Sequence, residues 1–155
     1  MTGLASVPSP SKQRLRLWLR LLRATRTIEN DVRELFRREF NTTLPRFDVL
    51  AALYRSESGL TMTELSRALM VSNGNVTGIV DRLDDDGFIR RATKQSDRRA
   101  SHVRLTYHGR ETFEKMAGAH EAWISRRLSD LDDEDTTDAI RLLKEIGQSA
   151  ERHKR

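Results

Sequence analysis

Apolar side chains recur at Leu15, Leu19 and Leu22 and again at Ile28, Val32, Leu35 and Phe36, while residues 11–40 hold neither proline nor glycine. This three-and-four spacing predicts one long helix, or two joined at a slight bend near Thr25. Residues 17–22 are apolar at every position except Arg20, so this stretch needs cover on more than one side. A second subunit would supply it. Pro45 fits the first turn of a next helix carrying Leu50, Ala52 and Leu53, which should end near Ser58-Gly59. Thr61-Met62-Thr63-Glu64 has the capping-box form and starts a short helix running to about Leu69. Met70-Val71 makes a turn and Ser72 is placed to cap the helix that follows. That helix shows Val76, Ile79, Val80 and Leu83 on one face and ends at Gly87. Residues 88–94 and 102–106 read as two strands joined by a polar loop at 95–100. Two more helices are predicted, over 107–127 and from Asp132 to about Glu151, with a break near Leu131. This is a helix-turn-helix with a hairpin wing, held between long N- and C-terminal helices.

Charge adds a direction to this order. The chain has 155 residues, 37% apolar and 33% charged, with a formal net charge of +5. That fits one domain of 11–155 behind a frayed tail at 1–10, and it favours an anionic partner. Residues 88–105 concentrate the positive charge, with Arg90, Arg91, Lys94, Arg98, Arg99 and Arg104 against the single acid Asp97. There is no cysteine, so disulfides and thiolate chemistry are excluded. No apolar run reaches membrane-spanning length and no secretion signal is visible, so the chain reads as cytoplasmic, without a membrane partner.

The helix after Ser72 bears the first candidate site. Opposite its apolar face lie Gly74, Gly78 and Asp81, flanked by Asn75, Thr77 and Arg82. Each exposed glycine costs a helix roughly 1 kcal/mol relative to alanine. Close approach to a DNA major groove would account for both, with Ser72, Asn73, Asn75, Thr77 and Arg82 at the contact. A helix that is simply poor, or glycines that ease packing against a neighbouring element, are the alternatives. In the hairpin, Arg90, Arg91, Lys94, Arg98 and Arg99 can follow phosphates or enter a minor groove, and Asp97 would orient Arg99 or its neighbour. A wing that binds an acidic protein surface is the competing reading. Phe88 is the only aromatic between Tyr54 and Tyr107, which argues against a protein interface wanting aromatic anchors.

The block from Leu60 to Glu114 resembles the DNA-binding lobe of the MarR family of transcriptional regulators. The resemblance rests on Asp97-Arg98-Arg99 at the wing tip, on LDDDGFI at 83–89 and on LTYHG at 105–109. It implies a mainly α winged helix-turn-helix over 60–106, with 11–58 and 107–155 as dimerisation and effector helices. It further implies a homodimer on a pseudo-palindromic operator in double-stranded DNA. RLWLRLL at 16–22 and TTLPRFDVLAAL at 42–53 are similar to repressors of aromatic-acid breakdown within that family. That implies an aromatic acid or aromatic acyl-CoA effector, near Arg16, Trp18, Arg20, Arg23, Arg46 and Phe47. The alternative leaves Trp18 and Phe47 in the core and the arginines solvated.

Other chemistry finds no foothold. His102, His108, His120 and His153 stand in no ligand spacing, so neither metal nor cofactor is expected. Asp132 to Asp135 begin a helix and suit its dipole, whereas Asp84, Asp85 and Asp86 end one and oppose it. No phosphate loop and no nucleophile with a neighbouring base appears. An enzyme is not expected.

Overall fold

The computed structural model describes residues 9–93 and 101–153. Lys94, Asp97, Arg98 and Arg99 lie outside the described residues. Helix α1 (Pro10–Phe40) is continuous through Thr25, and α2 (Leu44–Tyr54) carries Pro45 in its first turn. Strand β1 (Leu60–Thr61), helix α3 (Met62–Leu69) and helix α4 (Asn73–Asp85) follow. Strands β2 (Ile89–Thr93) and β3 (Ser101–Leu105) precede α5 (Tyr107–Arg127) and α6 (Asp133–Arg152). Two compact units divide the chain, 1–116 and 117–155.

The sheet is antiparallel in the order β1-β3-β2, with Leu60 opposite Val103 and Arg91 opposite Val103 on the other side. Strand β1 was not anticipated, because two residues cannot show an alternating pattern. Thr61 belongs to that strand and also accepts from the Glu64 amide at 3.2 Å, while Glu64 accepts the Thr61 amide at 2.7 Å. The Thr61 amide first, and then the Thr61 hydroxyl, which donates to the same carboxylate at 2.9 Å, hold the Glu64 carboxyl below its usual range.

One helix end departs from expectation, and another ends where expected on an uncommon backbone conformation. Helix α2 stops at Tyr54, and Gly59 takes its left-handed φ of 79° five residues later, in the turn before β1. There a Cβ would lie 2.5 Å from Arg104 Cγ and 2.6 Å from the Val103 carbonyl oxygen. At the end of α3, Met70 itself adopts φ 54°, with its side chain 93% exposed. A left-handed residue with a Cβ costs roughly 1–2 kcal/mol, of which glycine's greater unfolded freedom takes back up to about 1. Met70→Gly is therefore expected to stabilise the chain by up to about 1 kcal/mol, read as a higher urea midpoint.

The core of the first unit has two connected parts. Phe36, Phe47, Phe113 and Tyr54 form an aromatic column joining α1, α2 and α5, with ring centres 4.6, 5.4 and 4.6 Å apart in that order. Leu65, Val76, Val80, Leu83, Ile89 and Val103 are buried beneath the sheet and α3. The apolar positions assigned to the inner face of α4 are therefore inside, with Ile79 half-buried. By contrast, Leu15, Leu17, Trp18 and Leu19 are exposed, and α6 contains no buried residue although Leu142, Leu143 and Ile146 line it.

Candidate nucleic-acid interface

Helix α4 presents the residues expected of a groove-reading surface. Ser72, Asn73, Gly74, Asn75, Thr77, Gly78 and Arg82 are all exposed. Among the described residues nothing lies within 4 Å of a Cβ built on Gly74 or Gly78. No described element packs against these glycines, which leave a strip of backbone uncovered on the outer side of the helix.

The start of α4 is fixed differently from the sequence expectation. Ser72 stands at the N-cap with φ −69° and ψ 149°, but its side chain makes no capping bond. Asn73 takes the structural work instead, its Oδ1 accepting from the Ser66 hydroxyl of α3. Ser66 is 8% exposed, so this bond ties the two helices across their turn from a protected position. Thr77 donates its hydroxyl to the Asn73 carbonyl at 2.9 Å. A hydroxyl so engaged retains its acceptor lone pairs and its methyl group for an outside contact.

Arg91 enters the same surface from the sheet. It opposes Val103 and so shares the helix-facing side of the strands, whereas Arg90 and Arg104 oppose each other on the other side. From there the Arg91 guanidinium forms an ion pair with Asp81 of α4. Arg104 turns elsewhere, donating from Nε to the Ser58 carbonyl at 2.8 Å. The basic hairpin is thus divided, with Arg91 beside the outer face of α4 and Arg104 bracing the turn before β1.

The exit from α4 is a built junction. Gly87 has φ 74°, its amide donates to the Asp84 carbonyl at 2.9 Å, and the Phe88 amide donates to the Leu83 carbonyl at 3.0 Å. This pair of bonds closes the helix in the Schellman arrangement. The Thr106 hydroxyl donates to the Gly87 carbonyl at 2.7 Å and accepts the Gly109 amide at 2.9 Å. Thr106 thereby caps α5 and fastens it to the same turn. Asp86, whose position against the helix dipole had no explanation in the sequence, pairs with Arg46 of α2.

Arg46 opens onto a recess of about 550 Å³ lined by Phe40, Thr42, Leu50, Phe88, Thr112 and Met116 among others. The Arg46 guanidinium lies 6.0 Å from the Phe88 ring centre, and its Nε is buried with no hydrogen-bond partner among the described residues. Phe47, expected beside it as an effector contact, is 7% exposed and belongs to the aromatic column. Arg16, Trp18, Arg20 and Arg23 are exposed on the N-terminal half of α1. At about 1.5 Å per residue, Arg16 is roughly 30 Å and Arg23 roughly 20 Å along that helix from Phe36, which touches Phe47. Within one chain the six residues form two separate groups.

A MarR family model matches residues 42–101. The HTH-type transcriptional regulator BilQ of Clostridium symbiosum is 33% identical over 95 residues, which is 61% of this chain and 66% of that protein. The transcriptional activatory protein BadR of Rhodopseudomonas palustris is 33% identical over 107 residues, 67% of this chain and 61% of its own length. The chain thus spans somewhat less than two thirds of the length of these two relatives. The crystal structure of a regulator from Silicibacter pomeroyi superposes with a TM-score of 0.77 at 33% identity, covering 93% of this chain and 99% of the other.

Proposed function

The chain belongs to the MarR family of transcriptional regulators, and from that premise we propose that it binds double-stranded operator DNA as a homodimer and controls transcription there. The observation that carries this reading is the outer face of α4. Gly74 and Gly78 leave an open strip of helix backbone, with Asn75, Thr77 and Arg82 beside it and Arg91 at its edge. A helix of about 10–12 Å diameter matches the roughly 12 Å width of the major groove, and missing side chains let its backbone sink further.

Asn75 and Thr77 read base edges in this proposal, while Arg91, Lys94, Arg98 and Arg99 anchor the wing to phosphates, with Asp97 orienting Arg99. The exposed Leu15, Leu17, Trp18 and Leu19 and the uncovered α6 support a partner subunit, which would set two recognition helices on a pseudo-palindrome. The mode is repression, relieved when a small aromatic acid or aromatic acyl-CoA fixes the recognition helices at an unsuitable spacing. Activation is the alternative polarity, since the relative BadR is a transcriptional activatory protein. The recess at Arg46 is the candidate effector site, where an aromatic carboxylate would meet the Phe88 ring and share the guanidinium with Asp86, its partner in the recess wall. Only about 1–3 kcal/mol of coupling is required.

The test uses the chain's own upstream promoter region and a random duplex of equal length, with anisotropy followed across a salt series. Asn75→Ala is expected to cost about 1–3 kcal/mol on the promoter site and little on the random duplex. Arg99→Ala is expected to weaken both and to lower the log-log salt slope by nearly one. Equal losses for Asn75→Ala on the two duplexes would remove it from base reading, and an unchanged slope for Arg99→Ala would remove the wing. Aromatic acids and their CoA esters, titrated into the complex, test the effector.

A further inference from the structure

The outer face of α4 carries one residue of the wrong sign for its neighbours. Gly74, Gly78 and Asp81 fall on one stripe of the helix, at i, i+4 and i+7. Fold stability gives little reason for a carboxylate there. Its ion pair with Arg91 is exposed on both sides, 53% for Asp81 and 41% for Arg91, and exposed pairs typically contribute under about 1 kcal/mol. Against a polyanion the same carboxylate is repulsive.

We propose that Asp81 is a positioning residue for DNA binding: it holds the Arg91 guanidinium at the rim of the recognition helix, ready for a phosphate that flanks the groove. The inference rests on the DNA-binding reading above. Arg91 is otherwise a long side chain on a strand, with many rotamers to lose when it meets a phosphate. The contact with Asp81 engages Nη2 and draws the guanidinium toward α4. A guanidinium has five N–H donors in a planar fork, so donors remain for a phosphate after the carboxylate has taken its share. The strand fixes the reach, because Arg91 opposes the fully buried Val103 and cannot turn to the sheet's other side without losing register. Asp81 does for Arg91, at the base of the wing, what Asp97 is expected to do at its tip.

The proposal predicts a result opposite in sign to simple electrostatics. Removing a negative charge that faces DNA should strengthen binding if the charge does nothing else. With a positioning role, Asp81→Asn should weaken it. The probe is a 30-base-pair duplex of random sequence, since phosphate contacts do not need the operator, and binding of the full chain is measured by anisotropy over a salt series.

Asp81→Asn is expected to lose about 3- to 10-fold in affinity and to lower the salt slope by nearly one, as Arg91→Ala does. The double variant should be no weaker than Arg91→Ala alone, because the two residues act as one unit. Asp81→Glu, which keeps the carboxylate, should recover part of the loss. Tighter binding by Asp81→Asn with an unchanged or steeper slope would overturn the proposal. So would losses that add in the double variant, since a structural defect in α4 would persist without Arg91. A native chain that fails to bind the duplex would overturn the DNA-binding reading itself, whereas a native chain that binds while Asp81→Asn binds equally well would overturn only the role of Asp81.

Discussion

Gly109→Ala is expected to destabilise the protein by about 3 kcal/mol or more, the largest effect of a methyl addition at any described glycine. A Cβ at Gly109 would lie 1.8 Å from the Phe88 carbonyl oxygen and 2.7 Å from its carbonyl carbon. Both are backbone atoms, so no rotamer change relieves the overlap. The Phe88 carbonyl cannot retreat freely either, because it accepts the Thr106 amide at 3.0 Å while the Phe88 amide is bound to Leu83. Pushing α5 away instead breaks the Thr106 cap and separates Phe88 from His108, whose rings stack at 5.0 Å. The measurement is urea unfolding at matched protein concentration, since a dimer's apparent stability depends on it. Gly118→Ala in the same helix is the control. Its Cβ meets nothing within 4 Å, so helix propensity alone should make it neutral or stabilising by up to about 1 kcal/mol. If Gly109→Ala behaves like Gly118→Ala, the junction between α4 and α5 is looser than its bonds imply.

Periodic features were legible in the sequence, and pairings across the fold were not. The buried face of α4, the capping box at Thr61 and the acidic start of α6 follow from residue type and spacing within a few positions. The last is seen in Asp132 accepting the Asp135 amide at 2.8 Å. The two-residue β1 carries no period, and its existence depends on β3, some forty positions away. Ser72 has the right chemistry for a cap, yet the bond that fixes this end goes from Ser66 to Asn73, a contact set by how α3 meets α4. Similarly, the acids at 84–86 looked unfavourable at a helix end until Arg46 of α2 was placed beside Asp86.

The candidate site divides in the same way. Exposure of Gly74, Asn75, Thr77, Gly78 and Arg82 could be read from their positions opposite Val76, Val80 and Leu83, whereas the attachment of Arg91 to Asp81 needed the strand register. Gly109 gave no local signal, because its reason lies in the backbone of Phe88, reached through the whole hairpin. The effector residues were collected by residue type, and type alone cannot tell that Phe47 is core while Arg46, its neighbour, faces a recess.

Replacing both glycines of the recognition helix should separate stability from function with opposite signs. In Gly74→Ala/Gly78→Ala each new methyl enters open space, and each alanine should favour the helix by roughly 0.5–1 kcal/mol, about 1–2 in total. The folded chain therefore becomes more stable. On DNA the same methyls hold the helix backbone off the groove floor and displace Asn75 and Thr77 from base edges. Losing two or more such contacts, each worth about 1–3 kcal/mol, should reduce operator affinity by about 100-fold. Random duplex should suffer much less, because contacts from the wing to phosphates do not require the helix to sit at full depth. The pairing of a higher unfolding midpoint with a specific loss of operator binding cannot arise from misfolding, nor from a helix that was merely a poor one. Operator affinity that survived both alanines would mean that the glycine strip faces solvent in the complex, and the reading of α4 as the groove helix would have to be abandoned.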